Sequence, residues 1–137
     1  MTTPGAPVIL ALPTADRLTA HDFYAALGFE APGEPADDGV PEPLRIVVNT
    51  GLWLMLIPTG GFGWVTGDHE VAARGHSECL LSLPCATQDE VDDYMGRAER
   101  VGARIVTRAT SQPWGYTGTF ADPDAHLWQV ICGPDWS

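Results

Sequence analysis

The sequence predicts an α+β fold in which two tandem βαβββ modules form a curved, eight-stranded mixed sheet around a central cavity. Two observations support this fold class. Short apolar runs and amphipathic helical segments follow one another in the order strand, helix, three strands, and that order occurs twice. Each half opens with an apolar run that ends in Leu-Pro, at 8–13 and again at 79–84. Because one half alone would leave a face of its sheet uncovered, the halves are expected to lie side by side.

The length of 137 residues fits a single domain. We expect the first module at about 5–58 and the second at about 76–133. The connection, about 59–75, contains several glycines and shows little periodicity. It is long for a structureless segment, so we predict a functional loop or a partly mobile lid there.

In the first module, the run 7–12 predicts a buried strand that stops at Pro13. Thr14 or Asp16 can cap the following helix, and Gly28 ends it. Residues 29–43 are rich in Pro, Gly, Asp and Glu, which predicts a short strand and then an exposed loop. Two further strands are predicted in a hairpin, at 44–49 and 52–57.

The second module repeats this order with clearer helix signals. The strand 79–84 is followed by a capping box, Thr87-x-x-Glu90, and the helix ends at Gly102. Three more strands are predicted, at 104–107, 116–121 and 126–132, with a turn at 122–125.

The composition disfavours several classes of partner. The formal charge is −11 and there is no lysine, so the surface would repel nucleic acid and anionic membranes. It would attract a cationic small molecule, although surface acid also serves solubility. No apolar stretch is long enough to span a bilayer, and the first residues do not resemble a signal peptide. We therefore expect a cytoplasmic protein.

The three cysteines do not have zinc-like spacing. Cys79 lies in one apolar run and Cys132 at the end of another. We expect both to behave as small core hydrophobes rather than as nucleophiles.

Two segments carry a resemblance to a known family. Residues 113–130 contain Pro-Trp-Gly-Tyr and then Phe-Ala-Asp-Pro-Asp-Ala-His-Leu-Trp-Gln-Val, and residues 22–29 read Asp-Phe-Tyr-Ala-Ala-Leu-Gly-Phe. Both resemble motifs of the glyoxalase/bleomycin-resistance/dioxygenase superfamily, also called the vicinal-oxygen-chelate superfamily. The resemblance implies small-molecule binding and a homodimer. It leaves the activity open, because the superfamily includes metal-dependent enzymes and metal-free antibiotic-sequestering proteins.

In metal-using members, one ligand comes from the first strand and one from the last strand of each half. The resemblance places these ligand positions at Pro7, Met55, Glu78 and Gln129. Proline has no side-chain donor, and a thioether is a poor ligand for the divalent ions such enzymes use. The remaining carboxylate and amide are too few for a catalytic site, so we predict no metal and no other cofactor. His76 is the one nearby residue that could join Glu78.

Strand alternation and the resemblance predict a ligand pocket that is mostly apolar and aromatic. Its predicted members are Trp53, Met55, Glu78, Leu80, Trp114, Tyr116 and Gln129. Met55 could instead fill core, and Trp128 is expected to pack against a helix. The Glu78 carboxylate could be paired with Arg108 or with backbone N–H groups, or it could await a ligand.

Two functions follow from this pocket. The first is a metal-free protein that sequesters a hydrophobic or cationic small molecule. The alternative is a lyase, isomerase or dioxygenase-like enzyme, with Glu78 as its general base or residual metal ligand.

Overall fold

The computed structural model describes residues 5–67 and 69–134. They form two compact units, with the division between Val71 and Ala72. Each unit contains one sheet and repeats the predicted order of a strand, a helix and further strands.

The first unit contains a three-stranded sheet and two helices. Its elements are β1 (Val8–Thr14), α1 (Arg17–Leu27), β2 (Leu44–Asn49), β3 (Leu52–Pro58) and α2 (Thr59–Thr66). The strand order is β1-β3-β2, with β1 parallel and β2 antiparallel to β3. The central strand β3 is therefore paired on both sides.

The ends of α1 are set by its two flanking residues. The Asp16 carboxylate accepts hydrogen bonds from the backbone N–H groups of Leu18 (3.0 Å) and Thr19 (3.3 Å). Asp16, rather than Thr14, is therefore the cap. Gly28 adopts a φ of 102° at the other end, a conformation that glycine tolerates without steric cost, as predicted.

The expected short strand after α1 is a single bridge between Glu30 and Val47. The loop that follows is held instead by the side chain of Arg17, whose guanidinium pairs with Asp38 (2.8 Å) and Glu42 (3.1 Å). It also donates to the carbonyl of Pro41. The many prolines and glycines of this segment disfavour a longer ladder, so side-chain bonds replace backbone pairing.

The connection between the modules is more ordered than predicted. Residues 59–66 form α2, whose Phe62 is buried, and the helix contacts β1 and β3. The hydroxyl of Thr59 donates to the carbonyl of Thr14 (3.1 Å). The sequence did not predict this helix because glycine has a low helix propensity. The helix is stabilised by this packing more than by the intrinsic propensity of its residues.

The second unit has a four-stranded sheet. Its elements are β4 (Leu80–Pro84), α3 (Gln88–Arg100), β5 (Arg104–Gln112), β6 (Gly115–Ala121) and β7 (Leu127–Cys132). The order is β4-β7-β6-β5, with β4 parallel to β7 and the remaining pairs antiparallel. β5 extends five residues beyond its predicted end.

The predicted capping box forms at the start of α3. The Thr87 hydroxyl accepts from the backbone N–H of Glu90 (3.2 Å), and the Glu90 carboxylate accepts from the N–H of Ala86 (2.8 Å). Two backbone donors at the helix start are thereby satisfied.

Each sheet buries one face against its helix. In the first unit, α1 covers the leucine and isoleucine side chains of β2 and β3, which are Leu44, Ile46, Leu54 and Leu56. In the second unit, Phe120, Trp128 and Val130 are buried on the side of α3. Trp128 is 1% exposed, which agrees with its predicted core role. We call the opposite face of each sheet the open face; it carries the partly exposed Trp53 and Met55 in the first sheet and Gln129 in the second, where its Thr117 and Ile131 are buried.

The described residues form seven strands, three in one sheet and four in the other. A continuous eight-stranded sheet around a cavity stays a prediction. None of the helices in the described ranges is long and apolar enough to cross a membrane.

One prediction about the cysteines was wrong. Cys79 is exposed, because β4 begins one residue later and the preceding segment is not paired in the sheet. Cys132 is half-buried at the end of β7.

Candidate functional site

The open face of the first sheet carries Trp53 and Met55. Alternation along β3 places them opposite to the buried Leu54 and Leu56. The guanidinium of Arg45 lies 5.5 Å from the centre of the Trp53 ring, within the range of a cation–π contact. Sequence reasoning missed Arg45, although its alternation with Leu44 and Ile46 could have placed it on this face.

The open face of the second sheet carries Leu80, Ser82 and Gln129. Ser82 and Gln129 are partners in the parallel β4–β7 register. The Gln129 amide nitrogen donates to the Ser82 hydroxyl at 3.1 Å. Leu80 is 47% exposed. This face therefore combines apolar surface with one polar pair.

The two units pair their strands in the same way at the ligand positions that the family resemblance implies. Met55 on β3 is opposite Ala11 on β1, and Gln129 on β7 is opposite Ser82 on β4. Pro7 lies four residues before Ala11, as Glu78 lies four before Ser82. The four positions are thus equivalent by register in the two units.

Glu78 and His76 both precede β4 and are exposed. Arg108, a candidate partner for the Glu78 carboxylate, instead pairs with Glu99 (3.3 Å). The backbone N–H of His76 donates to the carbonyl of Ala73 (2.9 Å).

The donor set does not fit a divalent metal ion. Pro7 offers no donor and Met55 offers a thioether. The amide nitrogen of Gln129 donates a hydrogen bond to Ser82. The Gln129 amide oxygen and the Glu78 carboxylate remain, and two ligands are fewer than the three protein ligands that a catalytic metal site usually has.

Trp114 and Tyr116 lie in the β5–β6 turn and at the start of β6. The Tyr116 hydroxyl donates to the Asp92 carboxylate of α3 at 2.7 Å, which places the ring on the helix side of the sheet. This hydrogen bond, with desolvation and the nearby carboxylates, raises the pKa of Tyr116. Trp114 lies in the β5–β6 turn and is 54% exposed.

Three potential metal ligands meet at the β6–β7 turn, where atoms of Asp122, Asp124 and His126 lie within 4.8 Å of one another. An oxygen of the buried Asp122 carboxylate accepts from the backbone N–H groups of Asp124 (2.9 Å) and His126 (2.8 Å). These bonds close the predicted turn at 122–125.

The second unit also contains a cavity of about 500 Å³. It lies by the start of α3, the β5–β6 hairpin and the end of β7. Its lining includes Gln88, Gln112, Tyr116 and Cys132. The sequence predicts Tyr116 as a pocket residue, but local patterns do not bring it together with Gln88 and Cys132, which lie in distant segments.

Several solved protein structures have a fold similar to that of this chain. No protein-family model and no curated protein matches the chain. A glyoxalase-related enzyme from Fulvimarina pelagi has a TM-score of 0.79 and 22% identity, covering 95% of this chain and 89% of that one. TnmS3, an antibiotic binding protein from Streptomyces sp. CB03234, has a TM-score of 0.64 and 20% identity, covering 96% and 98%.

A third structure is a glyoxalase/bleomycin resistance protein/dioxygenase family enzyme from Burkholderia phytofirmans PsJN, with a TM-score of 0.71, 14% identity, and 90% and 95% coverage. The fold is therefore that of the glyoxalase/bleomycin-resistance/dioxygenase proteins, as the resemblance to the vicinal-oxygen-chelate superfamily predicted. At these identities the likeness establishes the fold, and function has to be argued from the residues.

Proposed function

We propose that this chain binds and sequesters a hydrophobic or cationic small molecule without a metal. The observation that carries the proposal is the chemistry of the open faces. They present Trp53, Met55 and Leu80, whereas the four equivalent ligand positions hold too few donors for a divalent ion. Such faces suit an apolar ligand held by a few polar groups.

The polar groups indicate what kind of ligand each face suits. Arg45 already lies against the Trp53 ring, so this face favours a planar apolar group over a second cation. Within the described residues, the exposed Glu78 carboxylate has no hydrogen bond or ion pair, and it suits a cationic group. The formal charge of −11 also attracts cations. That TnmS3 is an antibiotic binding protein supports sequestration as a function for this fold.

The proposal includes a homodimer. β1 and β4 are edge strands of their sheets, and they expose Val8 (67%), Ile9 (50%) and Leu80 (47%). Edge strands with exposed apolar residues are suited to pairing with another copy.

Tryptophan fluorescence tests the binding proposal with ethidium as a planar cationic probe and anthraquinone as a neutral one. We expect at least one probe to quench the emission in a saturable manner. Trp53→Phe should weaken binding about tenfold, since it removes part of an aromatic contact. The matched control is Trp64→Phe, because Trp64 is 91% exposed on the helix α2 and is not a residue of the sheet. Equal effects of the two substitutions, or no saturable quenching, would contradict the proposal.

The enzymatic alternative remains a second candidate, because the exposed Glu78 carboxylate can accept a proton. It predicts turnover that Glu78→Gln abolishes, whereas sequestration predicts release of the ligand unchanged. Mass spectrometry of ligand recovered after binding separates the two. Elemental analysis after expression with Mn, Fe, Ni and Zn tests the metal: a stoichiometric ion lost with Glu78→Gln would contradict a metal-free site.

A further inference from the structure

Cys85 and Cys132 are neighbours at the ends of two paired strands. The parallel register of β4 and β7 runs to Pro84 and Ile131, and the backbone N–H of Cys85 donates to the carbonyl of Ile131 at 2.7 Å. The next pair in this register is Cys85 with Cys132. Adjacent strands lie about 4.8 Å apart, within the range of about 4.4–6.8 Å between the Cα atoms of disulfide-bonded cysteines.

Both thiols lie on the α3 side of the sheet. Side chains alternate along a strand, so Cys85 shares a face with Leu81 and Leu83. In the same way, Cys132 shares a face with Trp128 and Val130, which α3 covers. A contact across the strands agrees with this, because the Cys132 thiol donates to the carbonyl of Ala86, next to Cys85, at 3.6 Å.

The two thiols differ in access. Cys132 lines the cavity of about 500 Å³ in the second unit, whereas Cys85 is not among its lining residues. A small molecule in the cavity can therefore reach the Cys132 sulfur first. Tyr116 and Gln112, in the same lining, offer polar contacts to a peptide-like reagent.

We propose that Cys85 and Cys132 form a reversible disulfide when the protein meets a small-molecule disulfide such as oxidised glutathione. The Cys132 thiolate attacks one sulfur of the reagent; its S–S bond breaks, and one glutathione leaves and takes up the proton that Cys132 lost. The Cys85 thiolate then attacks the Cys132 sulfur of the mixed disulfide. The second glutathione leaves with the proton from Cys85, so two protein thiols are oxidised and one reagent disulfide is reduced.

The environment of Cys85 agrees with a sequence in which Cys132 reacts first and Cys85 second. Burial, the Glu90 carboxylate and the neighbouring Cys132 raise the pKa of Cys85, so less of it is thiolate at neutral pH. The second step should therefore accelerate as pH rises. The inference does not depend on the proposed ligand-binding function, since the thiols and the open-face residues point to opposite sides of the sheet.

The test uses the full chain with Cys79→Ser, because Cys79 is exposed and would react on its own. After treatment with oxidised glutathione, we expect both remaining thiols to disappear and the mass to fall by two hydrogen atoms. Peptide mapping should place the bond between Cys85 and Cys132. Adding Cys85→Ser should stop the reaction at a single glutathione adduct on Cys132.

Dithiothreitol should restore both thiols in the oxidised protein. A stable glutathione adduct on Cys132 despite an intact Cys85 would overturn the proposal. So would two unreacted thiols in folded protein, checked by circular dichroism. Peptide mapping of the Cys79→Ser protein decides the outcome even if the Cys85→Ser variant does not fold.

Discussion

The stacked aromatic rings of the second unit show how partial burial changes the ionisation of one residue. The ring of Tyr94 on α3 stacks near Phe120, with centroids 6.3 Å apart and planes at 26°. Phe120 in turn stacks on Trp128 at 6.3 Å, with planes at 4°. Burial raises the pKa of Tyr94 to about 12, opposed in part by the nearby Arg97. The folded chain therefore keeps this phenol protonated where an unfolded chain would ionise it.

This shift predicts a pH dependence of stability at the residue scale. The contribution of Tyr94 is fully present below its unfolded pKa of 10.0 and is lost as pH rises towards about 12. A full shift of this size corresponds to about 2.7 kcal/mol, which partial exposure to solvent reduces to roughly 1–2 kcal/mol. Urea unfolding across this window should show a weaker pH dependence in Tyr94→Phe than in the parent. Parallel profiles for the two proteins would contradict the shift.

Single contacts also decide where two of the polar side chains considered for the site lie. The hydrogen bond of Tyr116 to Asp92 places its ring on the α3 side of β6. Arg108 was a reasonable partner for Glu78 by charge, but it pairs with Glu99. Charge alone does not select a partner when several acidic residues are available.

At the scale of elements, the two long helices are stabilised differently. α3 has Asp89 and Glu90 in its first turn and Arg97 and Arg100 in its last, which complements the helix dipole. α1 lacks such charges and depends on its Asp16 cap and on burial of one side. Both helices have a capped start, and we expect the Thr87 cap of α3 to contribute measurably in addition to these charges.

The capping box of α3 gives a direct test. Thr87→Ala removes the acceptor for the Glu90 N–H and should lower the free energy of unfolding by about 1 kcal/mol. Thr87→Ser keeps the hydroxyl and should cost much less. Urea denaturation followed by circular dichroism measures both. Similar losses for the alanine and serine variants would show that the hydroxyl is not what stabilises the helix start.

The difference between the two sheets also arises at this scale. The segment after α1 contains four prolines between residues 32 and 43, and each lacks a backbone donor for a ladder. The corresponding segment of the second unit contains none between Arg104 and Gln112 and forms the complete strand β5. The same topology therefore has one strand fewer in the first sheet.

At the scale of the whole molecule, the homodimer proposal rests on the exposed edges of the two sheets. Light scattering coupled to size exclusion should give twice the chain mass of 14.7 kDa. Ile9→Lys or Leu80→Lys should shift the protein towards the monomer, because a charge on a paired edge is strongly disfavoured. Val106→Lys is the control, since Val106 is 42% exposed on β5, the opposite edge of the second sheet. A monomer at all concentrations, or equal effects of the three substitutions, would contradict the proposal.

The sequence by itself determined the order of elements, the helix ends and the chemical content of the equivalent ligand positions. These depend on residues within about four positions of each other or on side-chain identity alone, as at Thr87, Gly28 and Pro7. The tertiary structure decided the rest: the helix α2, the exposure of Cys79, the Arg45–Trp53 contact and the hydrogen bond from Cys85 to Ile131. Each depends on strand register and on packing between segments far apart in the chain, which local patterns do not specify.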